Sequence, residues 1–273
     1  MAIYQLPVPR SYTNKPPVGV RPYLEHPHLQ RCSVFYPLNE GGGSVAYNAM
    51  GPKIHQASPS DGTIQDPNWD PQGPIVTLNS TGQTQSDDTL YYNAGANWTK
   101  LSIEYQWIQD STFTSSRSVL SVGNTAQDSS PTLLVKLYDT LKARFWFDAG
   151  YKFFSVDNVV RVGERNQVVI TYDGTKYDCY FNGLFVNTYT GGIGGDASNN
   201  SAYFGRGHQG AQGGISLQGK YWFDYVVPPA QVKDMWLRPW AMYSKPLPIW
   251  IPAAAPPAGG DTHHIHLPTL GVG

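Results

Sequence analysis

Apolar and polar positions alternate with a period of two along most of the middle of this chain. The clearest stretch is NQVVITYDGTKYDCYFNGLFVNTY, residues 166–189. Val168, Ile170 and Tyr172 alternate with Val169 and Thr171, which predicts a half-buried β-strand. Asp173-Gly174 breaks the run with the positive φ angles that a tight hairpin needs. Tyr177, Cys179 and Phe181 then alternate with Asp178, Tyr180 and Asn182. Asn182-Gly183 supplies a second turn, and Leu184, Phe185 and Val186 begin a return strand. Two hairpin signals around one aromatic strand predict an antiparallel meander.

Upstream, Leu101–Gln109 places Ile103, Tyr105 and Trp107 on one side and Ser102, Glu104 and Gln106 on the other, so Glu104 is expected to face solvent. Further strands are predicted at 32–38, 45–48, 75–78, 89–92, 118–122, 132–138, 142–147, 151–156 and 159–162, then at 202–205 and within 215–227. Residues 48–72 are rich in Pro, Gly, Asp and Ser and read as one long surface loop. GGIGGDASNN, residues 191–200, reads as a flexible loop. After Pro228-Pro229, Val232, Met235 and Trp236 recur at helical spacing, and Pro is tolerated at a first helical position, so one short helix is expected.

Composition supports an all-β chain. Of 273 residues only 14% are charged, while Gly and Pro number 28 and 22. Glu, a good helix former, occurs only at positions 25, 40, 104 and 164. The net charge of -1 has no basic block behind it. A nucleic-acid partner is therefore not expected, because displacing phosphate counterions takes a basic stripe. No apolar run is long enough to cross a membrane as a helix, and MAIYQLPVPR lacks the features of a signal peptide. Cys32 and Cys179 lie in strand-like runs and read as buried thiols; spacing alone does not decide whether they pair.

Pro7, Pro9, Pro16, Pro17, Pro22 and Pro27 deny regular hydrogen bonding to residues 1–30, and PLPIWIPAAAPPAGG opens a second proline-rich stretch over 245–273. The expected organisation is an extended arm (1–30), one sandwich domain (31–244) and a C-terminal arm (245–273). Pre-extended arms lose little entropy when laid on a neighbouring subunit.

The phrase VVITYDGTKYDCYFNGLFV resembles the central hairpins of laminin-G-like, or concanavalin A-like, jelly-roll domains. FYPLNEGGG (35–43) with Ala46-Tyr47-Asn48 resembles that family's opening strand and turn, and AYFGR (202–206) its late strand. The three occur in the family's order. AQVKDMWLRPW (230–240) is similar to the short helix after its last strand. The resemblance implies an antiparallel β-sandwich jelly roll. Lys-Pro-Pro-x-Gly, then His26-Pro27, together with the ending AMYSKP, resembles tailed-bacteriophage virion proteins carrying this domain. That implies a structural role on a virion surface as a capsid decoration protein, head fibre or tail-associated protein. The implied partners are a homotrimer of this chain, the major capsid protein, and host or environmental glycans.

The chemistry expected is binding rather than catalysis. Hydrolases of this fold carry Glu-x-Asp-x-x-Glu on one strand, and this chain has no such run; Glu104 with Asp110 or Asp139 is the nearest approach to the two carboxyl groups most glycosidases need. On that ground the chain is expected not to be an enzyme. The alternatives are a glycoside hydrolase or depolymerase of the same fold and a stand-alone carbohydrate-binding module. Exposed aromatics among polar loop residues stack on sugars, which singles out Trp69, Tyr91, Tyr92 and Trp98. Calcium often bridges loops in the resembled family and wants six to eight oxygens. Asp61, Asp66 and Asp70 would supply some, although Tyr221 and Trp222 stand where the family places an acid. In DTHHIHLP, His264 and His266 point the same way in an extended chain and are candidate ligands for a metal on a threefold axis.

Overall fold

The computed structural model describes residues 15–39, 45–50, 62–64, 68–70, 73–76, 90–93, 99–109, 117–122, 133–137, 141–147, 152–191, 201–204, 206–207, 210–211 and 214–243. The early strands are β1 (Val34–Tyr36), β2 (Val45–Ala46), β3 (Gly62–Ile64), β4 (Asn68–Asp70), β5 (Gly73–Val76) and β6 (Leu90–Asn93). The middle of the chain forms β7 (Leu101–Gln109), β8 (Arg117–Val122), β9 (Leu133–Leu137), β10 (Ala143–Phe147) and β11 (Lys152–Val156). Then come β12 (Arg165–Tyr172), β13 (Lys176–Phe181), β14 (Leu184–Thr190), β15 (Ser201–Phe204), β16 (Arg206–Gly207), β17 (Gly210–Ala211) and β18 (Gly214–Phe223). The helix α1 (Pro229–Leu237) and 3-10 turns at Pro27–Leu29 and Ala241–Tyr243 complete the described regular structure.

The described strands form two large antiparallel sheets and a two-stranded ribbon of β16 and β17. The first runs β14-β13-β12-β7-β18-β5-β4, with β1 also pairing β18; the second runs β11-β10-β9-β8-β15-β6-β3-β2. The sheets face each other across one apolar core. Ile103, Tyr105, Trp107, Val168, Ile170, Cys179 and Phe181 of the first sheet meet Leu120, Val122, Leu133, Val135, Phe145 and Phe147 of the second. The molecule is an all-β antiparallel sandwich of the jelly-roll class with one short helix among the described residues.

The meander forms as its pattern predicts. Asp173 Oδ1 accepts hydrogen bonds from Thr175 N, Thr175 Oγ1 and Lys176 N, closing the first turn. These donors hold its carboxyl below the usual range. Asn182 and Gly183 take φ of 50° and 75°, the two positive values of a tight hairpin. Asn182 Oδ1 accepts from Gln167 N at 2.8 Å while its Nδ2 donates to Val159 O at 3.1 Å.

Half-burial is where the prediction fails. The outer face of the first sheet is covered by a second apolar layer, in which Leu29, Cys32 and Phe35 join Val232 and Met235 of α1 and Met242, all packed on Val169, Tyr180 and Trp222. Strands β7 and β12 are therefore buried on both faces. The two cysteines are not joined in a disulfide and sit in different layers, Cys32 outside the sheet and Cys179 between the sheets. The covering segment is fastened by His28, whose Nε2 lies 2.5 Å from Asp234 Oδ2 on α1, and by Gln231 Nε2 donating to Pro27 O. Further hydrogen bonds run from Lys15 Nζ to Leu38 O and from Tyr23 N to Met242 O.

Two other expectations are corrected. The stretch 48–72 is not one long loop: β3 and β4 lie within it, and β3 sits between β2 and β6 by cross-strand pairing that local composition does not reveal. Residues 159–162 form no strand; Val159 and Val160 bond back to Leu141 O, and Val162 makes only an isolated bridge to Gln109.

A Cβ added at Gly183 would lie 2.6 Å from Trp236 Cβ. Left-handed strain and overpacking then add, so Gly183→Ala should lower stability by at least about 2 kcal/mol. Gly174, whose added Cβ would meet only Thr99 O at 3.4 Å, should tolerate Ala better. Urea midpoints of the two variants measure the difference.

Candidate functional site

Two clusters of charged side chains stand out, and they lie on opposite sides of the sandwich. The first is built on the outer face of the first sheet. Register places Val169 of β12, Glu104 of β7, Lys220 of β18 and Phe35 of β1 in one row. Lys220 Nζ donates to Glu104 Oε2 at 2.6 Å, and both side chains are 0% exposed. Gln106 Nε2 and Gln167 Nε2 donate to Glu104 Oε1 at 2.6 and 2.5 Å. Burial alone would push the Glu104 carboxyl up, but the Lys220 charge and the three donors outweigh it, so the group is held below its usual value.

Glu104 is thus not the solvated outward residue that alternation suggested. The covering layer seals its face, and no substrate reaches a carboxylate enclosed in this way. Asp110 and Asp139, its suggested partners, lie outside the described residues.

The second cluster lies on the outer face of the second sheet, across β9, β10 and β11. Along β10, Ala143, Phe145 and Phe147 point into the core, so Arg144 and Trp146 point outward. Trp146 pairs in register with Phe153 of β11, and their ring centroids are 4.7 Å apart at 32°. Phe153 is 52% exposed. The Arg144 guanidinium lies 5.4 Å from the Trp146 ring centroid and 4.4 Å from that of Phe153, and Arg144 Nε donates to Ser155 Oγ. Lys136 Nζ is 5.4 Å from the Trp146 ring centroid. The result is an aromatic platform edged by cations on a sheet face that meets water.

Of the residues singled out by sequence, Tyr91 and Tyr92 are consecutive positions of β6. Tyr91 shares a register row with Tyr203, Ser121, Leu134, Trp146 and Phe153. Tyr92 falls on the row of Val122, Leu133 and Phe147, which line the core. Trp69 and Asp70 are in β4, opposite Pro74 and Gly73 of β5. Trp98, Asp61, Asp66, His264 and His266 lie outside the described residues. Gly73, across from Asp70, brings no second carboxylate, and among the described residues no group of three or more His, Cys, Asp or Glu is placed to hold a metal ion.

Sequence reasoning missed Trp146 and Phe153. The signal was present in ARFWF: one aromatic out of phase with two others in a strand must leave the face they share.

No family model and no curated protein matches the sequence. Solved structures match in shape. A Trypanosoma rangeli sialidase in complex with 2,3-difluoro-KDN gives a TM-score of 0.59 at 12% identity, covering 76% of this chain and 32% of that one. A mutant of the same sialidase displaying trans-sialidase activity gives 0.60 at 11%, over 80% and 34%. The CBM40 of a Ruminococcus gnavus IT-sialidase, bound to α2,3 sialyllactose, gives 0.43 at 14%, over 54% and 91%. The chain spans about a third of the length of the sialidases it matches. At these identities the likeness to the sialidases is one of fold.

That likeness corrects the expectation that the chain is not an enzyme: its fold is shared with enzymes.

Removing Lys220 alone strands a buried carboxylate. Lys220→Met should therefore cost about 3–5 kcal/mol near neutral pH, and Glu104→Leu combined with Lys220→Met far less. Because the folded carboxyl titrates below the unfolded one, the pair's contribution is complete above roughly pH 4.3 and is lost as pH falls through the folded value. Urea unfolding of wild type and double variant from pH 7 downward should show the wild type alone losing this contribution on acidification.

Proposed function

We propose that this domain binds glycans on the outer face of β9–β11, as the carbohydrate-holding unit of a glycoside hydrolase or as a separate carbohydrate-binding module. The observation that carries the reading is the Trp146–Phe153 pair, a large aromatic surface at a solvent-facing position of a sheet. Such rings stack on the apolar face of a pyranose, and the polar groups around them fix its orientation. Ser155 and Arg144 stand beside the rings in that role. The fold supports the same reading, since sialidases that share it have been solved with sialic acid and with a 2,3-difluoro analogue.

A second reading is favoured by the proline-rich flanks and their resemblance to tailed-phage proteins. In it the same domain sits on a virion surface as a homotrimer beside the major capsid protein. Residues 15–30 lie on the chain's own body, so the segments left to engage neighbours are 1–14 and 245–273. In solution, a trimer for the full chain and a monomer after removal of those segments would support it; a monomer in both would count against it.

The glycan reading is tested on an oligosaccharide array followed by titration calorimetry. Phe153→Ala changes an exposed side chain and should leave the far-ultraviolet dichroism unaltered. It should weaken binding roughly tenfold or more, equivalent to about 1.4 kcal/mol. Trp146→Ala should weaken it at least as much. No binding by wild type, or unchanged affinity in Phe153→Ala, overturns the proposal.

A further inference from the structure

We infer that an apolar groove beside the covering layer is the seat of this chain's own proline-rich segment, residues 246–252. The inference is independent of the glycan reading. The groove has a volume of about 600 Å³ and is lined from two stretches, 18–24 and 37–49. Its apolar lining includes Val18, Val20, Pro22, Leu24, Pro37 and Tyr47. Val18, Val20, Leu24 and Tyr47 are exposed, Tyr47 by 60%. Apolar residues scattered singly on a surface are ordinary, but four around one concavity mark an interaction site.

The groove is held open by its own hydrogen bonds. Gly19 takes a φ of 78° and Val20 N donates to Pro17 O at 3.3 Å, so residues 17–20 form a tight turn. Gly19 N donates to Asn39 O at 3.3 Å, and Asn39 Nδ2 donates to Pro17 O at 3.4 Å and to Val20 O at 3.1 Å. These bonds fix the two lining stretches against each other.

The occupant follows from where the described chain stops. Tyr23, between the lining residues Pro22 and Leu24, donates through N to Met242 O at 2.6 Å. Tyr243, the last described residue, therefore stands at the wall of the groove. Only Ser244 and Lys245 separate it from Pro246, so Pro246 lies within about 10 Å of it. A tether this short gives an effective concentration in roughly the millimolar range. The sequence suits the seat. Residues 246–252, PLPIWIP, carry no charge and include Leu247, Ile249, Trp250 and Ile251. Proline fixes φ at about −65° and favours the extended polyproline helix. Apolar, aromatic-bearing grooves take up that helix at little entropic cost. Seated there, the segment fastens the two flanks of the body together. In the assembly reading, residues 1–14 and 253–273 then remain for neighbours.

The test uses the full chain with the photoreactive substitution Trp250→p-benzoylphenylalanine, irradiated at low protein concentration, with crosslinked peptides mapped by mass spectrometry. The expected result is a crosslink to residues 18–24 or 37–49 within the monomer band of a denaturing gel. Val20→Glu sets a carboxylate against the apolar occupant and should lower that yield about tenfold, with dichroism as the check on folding. Pro246→Gly combined with Pro248→Gly leaves the groove untouched and should lower the yield in the same direction by loosening the segment. A crosslink to the groove that joins two chains overturns the inference in favour of exchange between copies. A crosslink elsewhere, or a yield unchanged in Val20→Glu, overturns it outright. Each of these failures leaves the glycan reading standing, because that reading rests on the outer face of β9–β11.

Discussion

A charge pair sealed inside the molecule sets the terms for everything around it. Glu104 and Lys220 face each other across β7 and β18 on a sheet surface that would be wetted in an ordinary two-layer sandwich. Two such groups tolerate burial only when geometry and extra hydrogen bonds replace water. Here Gln106 and Gln167 complete the shell of the carboxylate. The shell works only while the cover is in place. That cover consists of Leu29, Cys32, Phe35, Ala49 and Met50 together with α1 and Met242, which come from early and late parts of the described chain and meet through His28 and Asp234. The ion pair thus makes the sandwich core and its outer layer depend on one another.

The clasp itself is acid-sensitive. Burial, then the neighbouring His28 charge, depresses the His26 pKa to about 4. Its neutral form is therefore the one the fold prefers, and the associated stability is present above roughly pH 6.5 and declines as pH falls toward the folded value. Asp234 acts in the same direction: hydrogen bonds from His28 and Arg238 overcome the effect of burial and hold its carboxyl far below the usual range. Acid thus weakens the cover before it reaches the core beneath.

Local chemistry was legible in the sequence wherever local chemistry decides the structure. Asn182-Gly183 dictates its turn through two positive φ angles, and Asp173-Gly174 does so through the positive φ of Gly174 and the bonds accepted by the Asp173 side chain, and the meander follows. Pro229 at the first helical position marks the start of α1. Matters decided at a distance were not legible. Alternation in Leu101–Gln109 told the two faces apart but could not say that the polar one is covered, because its partner Lys220 lies far along the chain. The pairing of β3 with β2 and β6 is likewise non-local. Trp146 and Phe153 looked like nothing because they are apart in sequence, and register brings them together.

The hydrogen bond from Tyr23 N to Met242 O has a bearing on orientation. It brings both flanks of the body together in the layer that covers the first sheet. The aromatic and cationic platform is on the far side of the second sheet, with the full thickness of the sandwich between. Anything that tethers this domain through either flank therefore holds it by its back. The platform then faces away from the anchor, toward whatever the surroundings bring to it.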